Sequence, residues 1–298
     1  MNLRVGTRSS LLATSQTGRV VRRLEQLGHR CEVVTVSTLG DRVTDRPFEQ
    51  VGPPGVFVRD IEQSLLDGDI DVAVHSYKDL PTVSPAGLVV AAVPERLDPA
   101  DTLVVDERFW SPSSPRLPVA SSLSVGTSSS RRRALLHALR PDLTSVGLRG
   151  NVPTRLNKCR EEEMAAVVLA ASGLQRLKDA GACDLAGLRE HRLDPAVFVP
   201  APSQGALALQ VRLDSSVLDA IGALDDPRAH RAARAERAVL AGLEGGCQSA
   251  IGAWLEGDGD SLRLHAAYEK QSGLARFVAS GTPQTLNEMI TQVIDRLR

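Results

Sequence analysis

A short apolar run, then a turn rich in hydroxyl and guanidinium groups, then a helical stretch: this order occurs three times along the chain and limits it to α/β architectures. It first appears as Leu3 to Gly6, a helix from about Ser9 to Leu27, and the β-branched run Cys31 to Thr38. A helix over Val58 to Leu66 ends at Asp67-Gly68, and Ile70 to His75 reads as a buried strand stopped by polar residues and Pro81. Pro94, Pro99, Pro112, Pro115 and Pro118, interspersed with serines, mark a loop-rich passage where a domain boundary is expected. The rhythm restarts at Ser124-Val125-Gly126, with a helix from Ser130 to Leu139, a strand near Ser145 to Leu148, a helix from Pro153 to Glu162 and a strand from Ala165 to Ala170. Ala206 to Arg212 is a further strand that either domain can accept. An Ala/Arg-rich helix over Ala229 to Leu243, glycine-rich loops, short strands and an amphipathic helix from Thr285 to Leu297 read as a small α+β unit.

Charge and cysteine usage exclude several functions. The 35 basic and 36 acidic residues leave a net charge of -1, and aromatic content is 3%, which argues against a general nucleic-acid or membrane-surface binder. No apolar run approaches the roughly 20 residues that span a bilayer. The start, with no apolar stretch of the kind that directs secretion, leads to the expectation of a cytoplasmic protein. Cys31, Cys159, Cys183 and Cys247 are far apart and form no Cys-x-x-Cys pair, so neither a disulfide framework nor a metal site is expected. A phosphate-binding loop and a dinucleotide fingerprint are absent from the sequence.

The richest chemistry lies where strands give way to helices. In Val125-Gly126-Thr127-Ser128-Ser129-Ser130-Arg131-Arg132-Arg133 three arginines open a helix. The N-terminus of a helix is already positive, so each cation there costs about 0.3 to 1 kcal/mol unless an anion is present. A bound anion is the simplest explanation, held by backbone N–H groups, the hydroxyls of Thr127, Ser128 and Ser129, and guanidinium forks. A solvated basic face is the alternative. Arg149-Gly150-Asn151-Val152-Pro153-Thr154-Arg155 repeats the pattern on the next turn, and Thr7-Arg8-Ser9-Ser10 is its counterpart in the first domain. Ligands of open α/β sheets bind beyond the carboxyl ends of strands, so these turns together suggest a polyanionic small molecule in a cleft between domains.

Asp79, in Val74-His75-Ser76-Tyr77-Lys78-Asp79-Leu80-Pro81, lies just beyond a buried strand, where a carboxylate can serve as a fixed negative charge or as a structural turn residue. His75 reads as a satisfied core histidine. Cys247, after Gly245-Gly246 and before Gln248, is either a packing residue or an accessible attachment point, and the other three cysteines read as packing.

Val74 to Asp79, Val125 to Arg132, Leu148 to Arg155 and Leu243-Glu-Gly-Gly-Cys-Gln248 occur in the order found in porphobilinogen deaminases, and the chain resembles that family over nearly its whole length. Thr7 to Ser10, Gly52 to Val58, Leu169 to Leu177, Pro200 to Ala206 and Glu236-Arg237 are also similar to family segments. The resemblance implies two α/β domains like those of type II periplasmic binding proteins, over 1–96 with 196–216 and over 97–195, plus a small α+β C-terminal domain over 217–298. It implies a transferase of tetrapyrrole, porphyrin and heme biosynthesis that joins four porphobilinogen units and releases ammonia and, after hydrolysis, hydroxymethylbilane. The first step would be loss of ammonia to give an electron-poor azafulvene. By matching position Cys247 would carry a dipyrromethane cofactor through a thioether, with Arg131, Arg132, Lys78 and Ser129 binding that cofactor. Asp79 would be the catalytic residue, and Arg8, Ser10, Thr127, Ser128, Arg149, Arg155, Arg176 and Gln204 would bind substrate. Every pyrrole unit carries two carboxylates, which suits the arginine density. The implied protein is a monomer that binds a small pyrrole, no nucleic acid and no membrane, with uroporphyrinogen-III synthase as candidate downstream partner.

Some positions depart from the family pattern: Pro54 and Arg59 where lysines are common, Ser203 before Gln204-Gly205 where glycine is usual, and Met164-Ala165-Ala166 in place of Tyr-Asp-Ala. They leave room for a specialised paralogue acting on a modified pyrrole. A non-catalytic polycarboxylate binder on the same scaffold is the rival from another class. Two further expectations are a mobile lid over Asp41 to Val56 and a fold that tolerates Arg132→Ala.

Overall fold

The structure is a computed structural model that describes residues 1–37, 58–161, 164–243 and 249–298; the expected lid and Cys247 lie outside the described residues. In chain order the elements are β1 (Asn2–Arg8), α1 (Leu11–Gln26), β2 (Arg30–Val36), α2 (Arg59–Leu66), β3 (Val72–Ser76), a 3-10 turn (Tyr77–Asp79) and β4 (Leu88–Ala92). There follow β5 (Asp101–Asp106), β6 (Ser124–Gly126), α3 (Ser130–Leu139), β7 (Thr144–Val146), α4 (Val152–Glu161), β8 (Ala166–Ala170), α5 (Ala171–Asp179) and β9 (Leu188–Arg192). The chain closes with β10 (Leu207–Arg212), α6 (Leu218–Gly222), α7 (Pro227–Gly242), β11 (Ile251–Glu256), β12 (Leu262–Lys270), β13 (Gly273–Gly281) and α8 (Leu286–Leu297).

Two five-stranded sheets share one plan. The first runs β2-β1-β3-β10-β4, with β1 parallel to β2 and β3, and β10 antiparallel to β3 and β4. The second runs β7-β6-β8-β5-β9, with β6 parallel to β7 and β8, and β5 antiparallel to β8 and β9. In each, the strand that follows the central one lies at the edge, and an antiparallel strand, β10 from later in the chain in the first sheet and the preceding β5 in the second, separates the last two. Helices cover both faces, so the central strands are apolar on both sides. Along β5, Leu103 and Val105 join one core with Val125, Leu135, Ala166 and Val168, while Val104 joins another with Leu148, Leu156, Val167 and Leu174. The first sheet repeats this, with Leu3, Val5, Val72, Val74, Leu207 and Leu209 packed with Val20 and Leu24 of α1, and Ala73 among Ile61, Leu65 and Ile70.

The third sheet is the antiparallel meander β11-β12-β13. Helix α8 packs on β12 and β13 through Met289, Val293 and Leu297, spaced four residues apart on one face. By contacts the chain divides into two compact units, 1–97 with 206–234 and 98–205 with 235–298. The fold class is therefore mixed α/β with two related sheets and a small C-terminal sheet. The three-domain boundaries remain a proposal.

One element differs from expectation. The passage between Pro94 and Pro118 contains β5, buried at all six positions, at the centre of the second sheet. Its flanking prolines concealed an apolar core of only three residues, Leu103 to Val105. Strand β10, which the pattern alone left to either domain and the resemblance placed with the first, belongs to the first sheet.

Candidate functional site

In the second unit, the parallel strands β6, β7 and β8 deliver their following turns to one end of the sheet. Antiparallel β5 starts at that end, with Asp101 opposite Ala170, the last residue of β8. After β6, Thr127 is buried and its Oγ1 accepts from the Ser129 amide (3.2 Å). Ser129 caps α3, its hydroxyl accepting from the Arg132 amide (3.4 Å). Ser128 Oγ donates to the Leu148 carbonyl and accepts from the Leu148 amide, both at 2.9 Å, which joins the first anion turn to the second. In that second turn Gly150 has φ +108, a conformation that favours glycine, and its carbonyl accepts from Arg155 Nε (2.8 Å).

The arginines at the start of α3 have an internal anion that the sequence did not reveal. Asp101, with 0% exposure, accepts from Arg131 Nη1 (2.7 Å) at Oδ2, and from Arg132 Nη2 (2.7 Å), Arg132 Nε (3.1 Å) and Gln204 Nε2 (2.9 Å) at Oδ1. Burial alone would raise its pKa; the two guanidiniums and the Gln204 amide outweigh that and hold it well below the usual carboxylate range. Arg131 also donates to the Val199 carbonyl and Arg132 to that of Val168, each at 2.8 Å. The electrostatic argument for a bound anion at this helix start is thus corrected, because Asp101 supplies one negative charge from within. So is the expectation that the fold tolerates Arg132→Ala. Arg132 is buried at 7% exposure and its loss leaves Asp101 with one guanidinium, the kind of broken buried pair that costs about 3 to 5 kcal/mol.

Cationic stress persists beside this cluster. Half-buried Arg155 has its pKa pushed down to about 10, by burial first and by Arg132 second. A guanidinium does not deprotonate in a protein, so the direction measures unrelieved electrostatic stress on the cation. Arg149 is half-buried, and buried Arg176 on α5 donates to the Gly205 carbonyl (3.0 Å). Gln204 is fully buried and gives its amide to the Pro99 and Ala100 carbonyls as well as to Asp101. Its place is behind the arginines, and its side chain presents no surface to solvent.

In the first unit, β1 and β3 run parallel and end together. Arg8 is half-buried at the end of β1, and Ser10 caps α1 by accepting from the Ala13 amide (3.3 Å). Ser76, at the end of β3, hydrogen-bonds the Gln16 side chain of α1 (3.1 Å). The 3-10 turn that follows leaves Lys78 half-buried and Asp79 exposed. His75 is a core residue whose pKa burial lowers to about 4, but Nε2 has no partner among the described residues, so it is less than fully satisfied. Cys159 is buried with its thiol pushed up to about 11, mainly by burial, and Cys31 and Cys183 are partly buried. Among the described residues no cluster of metal-ligating side chains occurs, and no helix is long and apolar enough to cross a membrane.

Residues 3–220 match the family described as "Porphobilinogen deaminase, dipyromethane cofactor binding domain", and residues 230–288 match its C-terminal domain. A porphobilinogen deaminase of Roseiflexus sp. (strain RS-1) is 43% identical over 90% of this chain and 86% of its own length. That of Moorella thermoacetica is 40% identical over 95% and 88%, and that of Cutibacterium acnes 44% identical over 84% and 76%. Matches of this extent mean that the chain belongs to the porphobilinogen deaminase family.

Proposed function

We propose that the chain is a hydroxymethylbilane synthase, condensing four porphobilinogen units head to tail with loss of ammonia and releasing the linear tetrapyrrole by hydrolysis. The observation that carries this reading is the gathering of Arg131, Arg132 and Arg155 where the turns after β6 and β7 are tied together by Ser128, with Arg155 stressed by burial and by Arg132. Acetate and propionate side chains are the anions that such a donor set fits: planar guanidiniums for paired hydrogen bonds, with hydroxyls and backbone N–H groups at a helix start. The residues present therefore suit a dipyrromethane, which when bound supplies the nucleophilic pyrrole carbon on which the product chain grows. Cys247 is the proposed thioether attachment, and Arg131, Arg132, Lys78 and Ser129 the proposed cofactor contacts.

Asp79 is the proposed catalytic group. Its exposed carboxylate, carried on a short turn anchored by a buried strand, accepts from pyrrole N–H groups and offsets positive charge that develops on the pyrrole nitrogen. Arg8, Arg149, Arg155 and Arg176, with Ser10, Thr127 and Ser128, hold the carboxylates of incoming units and fix their orientation. Gln204 contributes from behind, through Asp101. Monomeric state, cytoplasmic location and transfer of product to a uroporphyrinogen-III synthase are further proposals; light scattering of the purified protein reads the first.

Intact mass and an ammonia assay with porphobilinogen test the reading together. The expected outcome is a mass increment of two pyrrole units, absent in Cys247→Ser, and ammonia release that stops in the same variant. Active protein of unmodified mass would overturn the attachment, and cofactor-loaded protein that releases no ammonia would overturn the substrate.

A further inference from the structure

We propose that Asp101 is a positioning residue for the carboxylate-binding arginines: it fixes the planes of Arg131 and Arg132 and cancels one of their two charges, so the pair offers a ligand carboxylate one net positive charge. The inference takes the identity of the ligand from the deaminase reading, while the geometry stands without it.

Three features support the assignment. Asp101 is buried completely, yet it is ionised and receives four hydrogen bonds from three side chains. Each guanidinium is pinned a second time, Arg131 by the Val199 carbonyl and Arg132 by that of Val168, so both are held by two elements at once. The carbonyls carry no net charge, so Asp101 is the anion that these contacts give the pair. A guanidinium already held in place loses less freedom when a ligand arrives, which favours binding.

The sign of the charge matters as much as its position. Arg131 and Arg132 are proposed contacts of the cofactor, which stays attached, but Arg155 beside them is proposed to take carboxylates that must later leave, so the pair cannot add too much positive charge to that neighbour. Without Asp101, Arg131 and Arg132 would present two charges in a buried setting beside Arg155, which Arg132 already repels. With Asp101 the excess is smaller and its direction is fixed. Gln204 sets the balance further, because its amide shares Oδ1 with Arg132 and draws carboxylate charge away from that arginine. The sequence gives Asp101 no motif; its role follows from where β5 starts.

The test uses holoenzyme of wild type, Asp101→Asn and Asp101→Glu, in which the cofactor covers Arg131 and Arg132, with inorganic phosphate as the probe of neighbouring Arg155 and chloride at matched ionic strength as the control. Melting temperature is followed against phosphate concentration, and porphobilinogen turnover is measured in parallel. Asn keeps the shape and removes the charge, so Asp101→Asn is expected to melt lower without phosphate and to need about tenfold less phosphate for a half-maximal rise. Its KM and kcat for porphobilinogen should both fall, since carboxylates bind more tightly and leave more slowly. Asp101→Glu should recover the wild-type phosphate dependence. A folded Asp101→Asn whose melting temperature is lowered by the same amount at every phosphate concentration makes Asp101 a structural ion only and overturns the proposal. Should Asp101→Asn not fold, Gln204→Leu is read instead: it withdraws one hydrogen bond from Asp101 and leaves the charges unchanged. Half-maximal phosphate should then rise two- to threefold, and an unchanged value overturns the proposal. Wild-type ammonia release from porphobilinogen is scored separately, so a failure of the deaminase reading is distinguishable from a failure of the Asp101 assignment.

Discussion

Ser203 shows how one departure from a family pattern becomes intelligible. It has φ +62, a left-handed conformation, and it is fully buried, its amide donating to Glu236 Oε2 (2.7 Å). Glycine is usual here because a side chain in this conformation costs about 1 to 2 kcal/mol. Ser203→Gly keeps the backbone bond to Glu236 and is expected to stabilise the protein by about 1 kcal/mol, a rise in melting temperature of roughly 2 to 4 °C in calorimetry. A lower melting temperature would mean that the serine side chain more than offsets the strain. Met164 is a second such case, buried against Gly126, where a Cβ would come within 2.4 Å of its sulfur; the departure there belongs to the core. Asp79, the proposed catalytic group, makes a separate demand, since it is exposed. Supplied with preformed cofactor, Asp79→Asn is expected to keep fold and thioether while single-turnover ammonia release falls by a factor on the order of 100 to 1000. Near-normal turnover would reduce Asp79 to a turn residue.

Among the elements, helices were the most legible in the sequence. The Ser130 to Leu139 helix was read with its observed bounds, because a hydroxyl cap precedes it and an apolar face runs through it. Strand β5 was hidden because prolines on both sides outweighed three apolar residues, and β9, Leu-Arg-Glu-His-Arg, carries almost no apolar signal. The anion turns were legible as local motifs. Asp101 was not, since it meets Arg131 and Arg132 thirty residues later, a distance that no local pattern reports. The tie between the two turns is Ser128, and Ser128→Ala withdraws its hydroxyl from both the amide and the carbonyl of Leu148. The loss should be about 1 to 3 kcal/mol of local stability. Hydrogen exchange at the Leu148 amide should accelerate by at least fivefold while the β8 amides stay protected; uniform protection would show that the turns hold without this serine.

For the molecule as a whole, His75 sets a pH dependence that can be signed. Its pKa is lowered from 6.5 to about 4, by burial, with the neighbouring Gln210 side chain opposing. Above pH 6.5 the histidine is neutral folded or unfolded and adds no slope. Between 6.5 and 4 the unfolded chain takes a proton that the folded protein refuses, so stability falls as pH falls, by on the order of 3 kcal/mol in total. Glu62, raised by burial and bonded to Gln210 (3.0 Å), acts in the opposite sense: the folded protein accepts its proton first, which favours folding as pH drops. Asp101 adds a term at lower pH, present above the ordinary carboxylate range and lost as acid protonates it. Urea unfolding at pH 7 and pH 5 should show a loss in the wild type that shrinks in His75→Gln; an equal loss in both assigns the acid limb elsewhere.

The shared sheet plan has a consequence for synthesis. Strand β4 pairs with β10 and with no other described strand, and β10 lies more than a hundred residues later. While a ribosome is making residues 98–205, the first sheet therefore lacks the strand that joins β3 to β4. The second sheet draws all five strands from one continuous stretch, β5 to β9, and can close as soon as β9 emerges. Vectorial synthesis thus favours the later-encoded sheet as the first to be completed, while β3 keeps an unpaired edge of the kind that promotes aggregation and attracts chaperones.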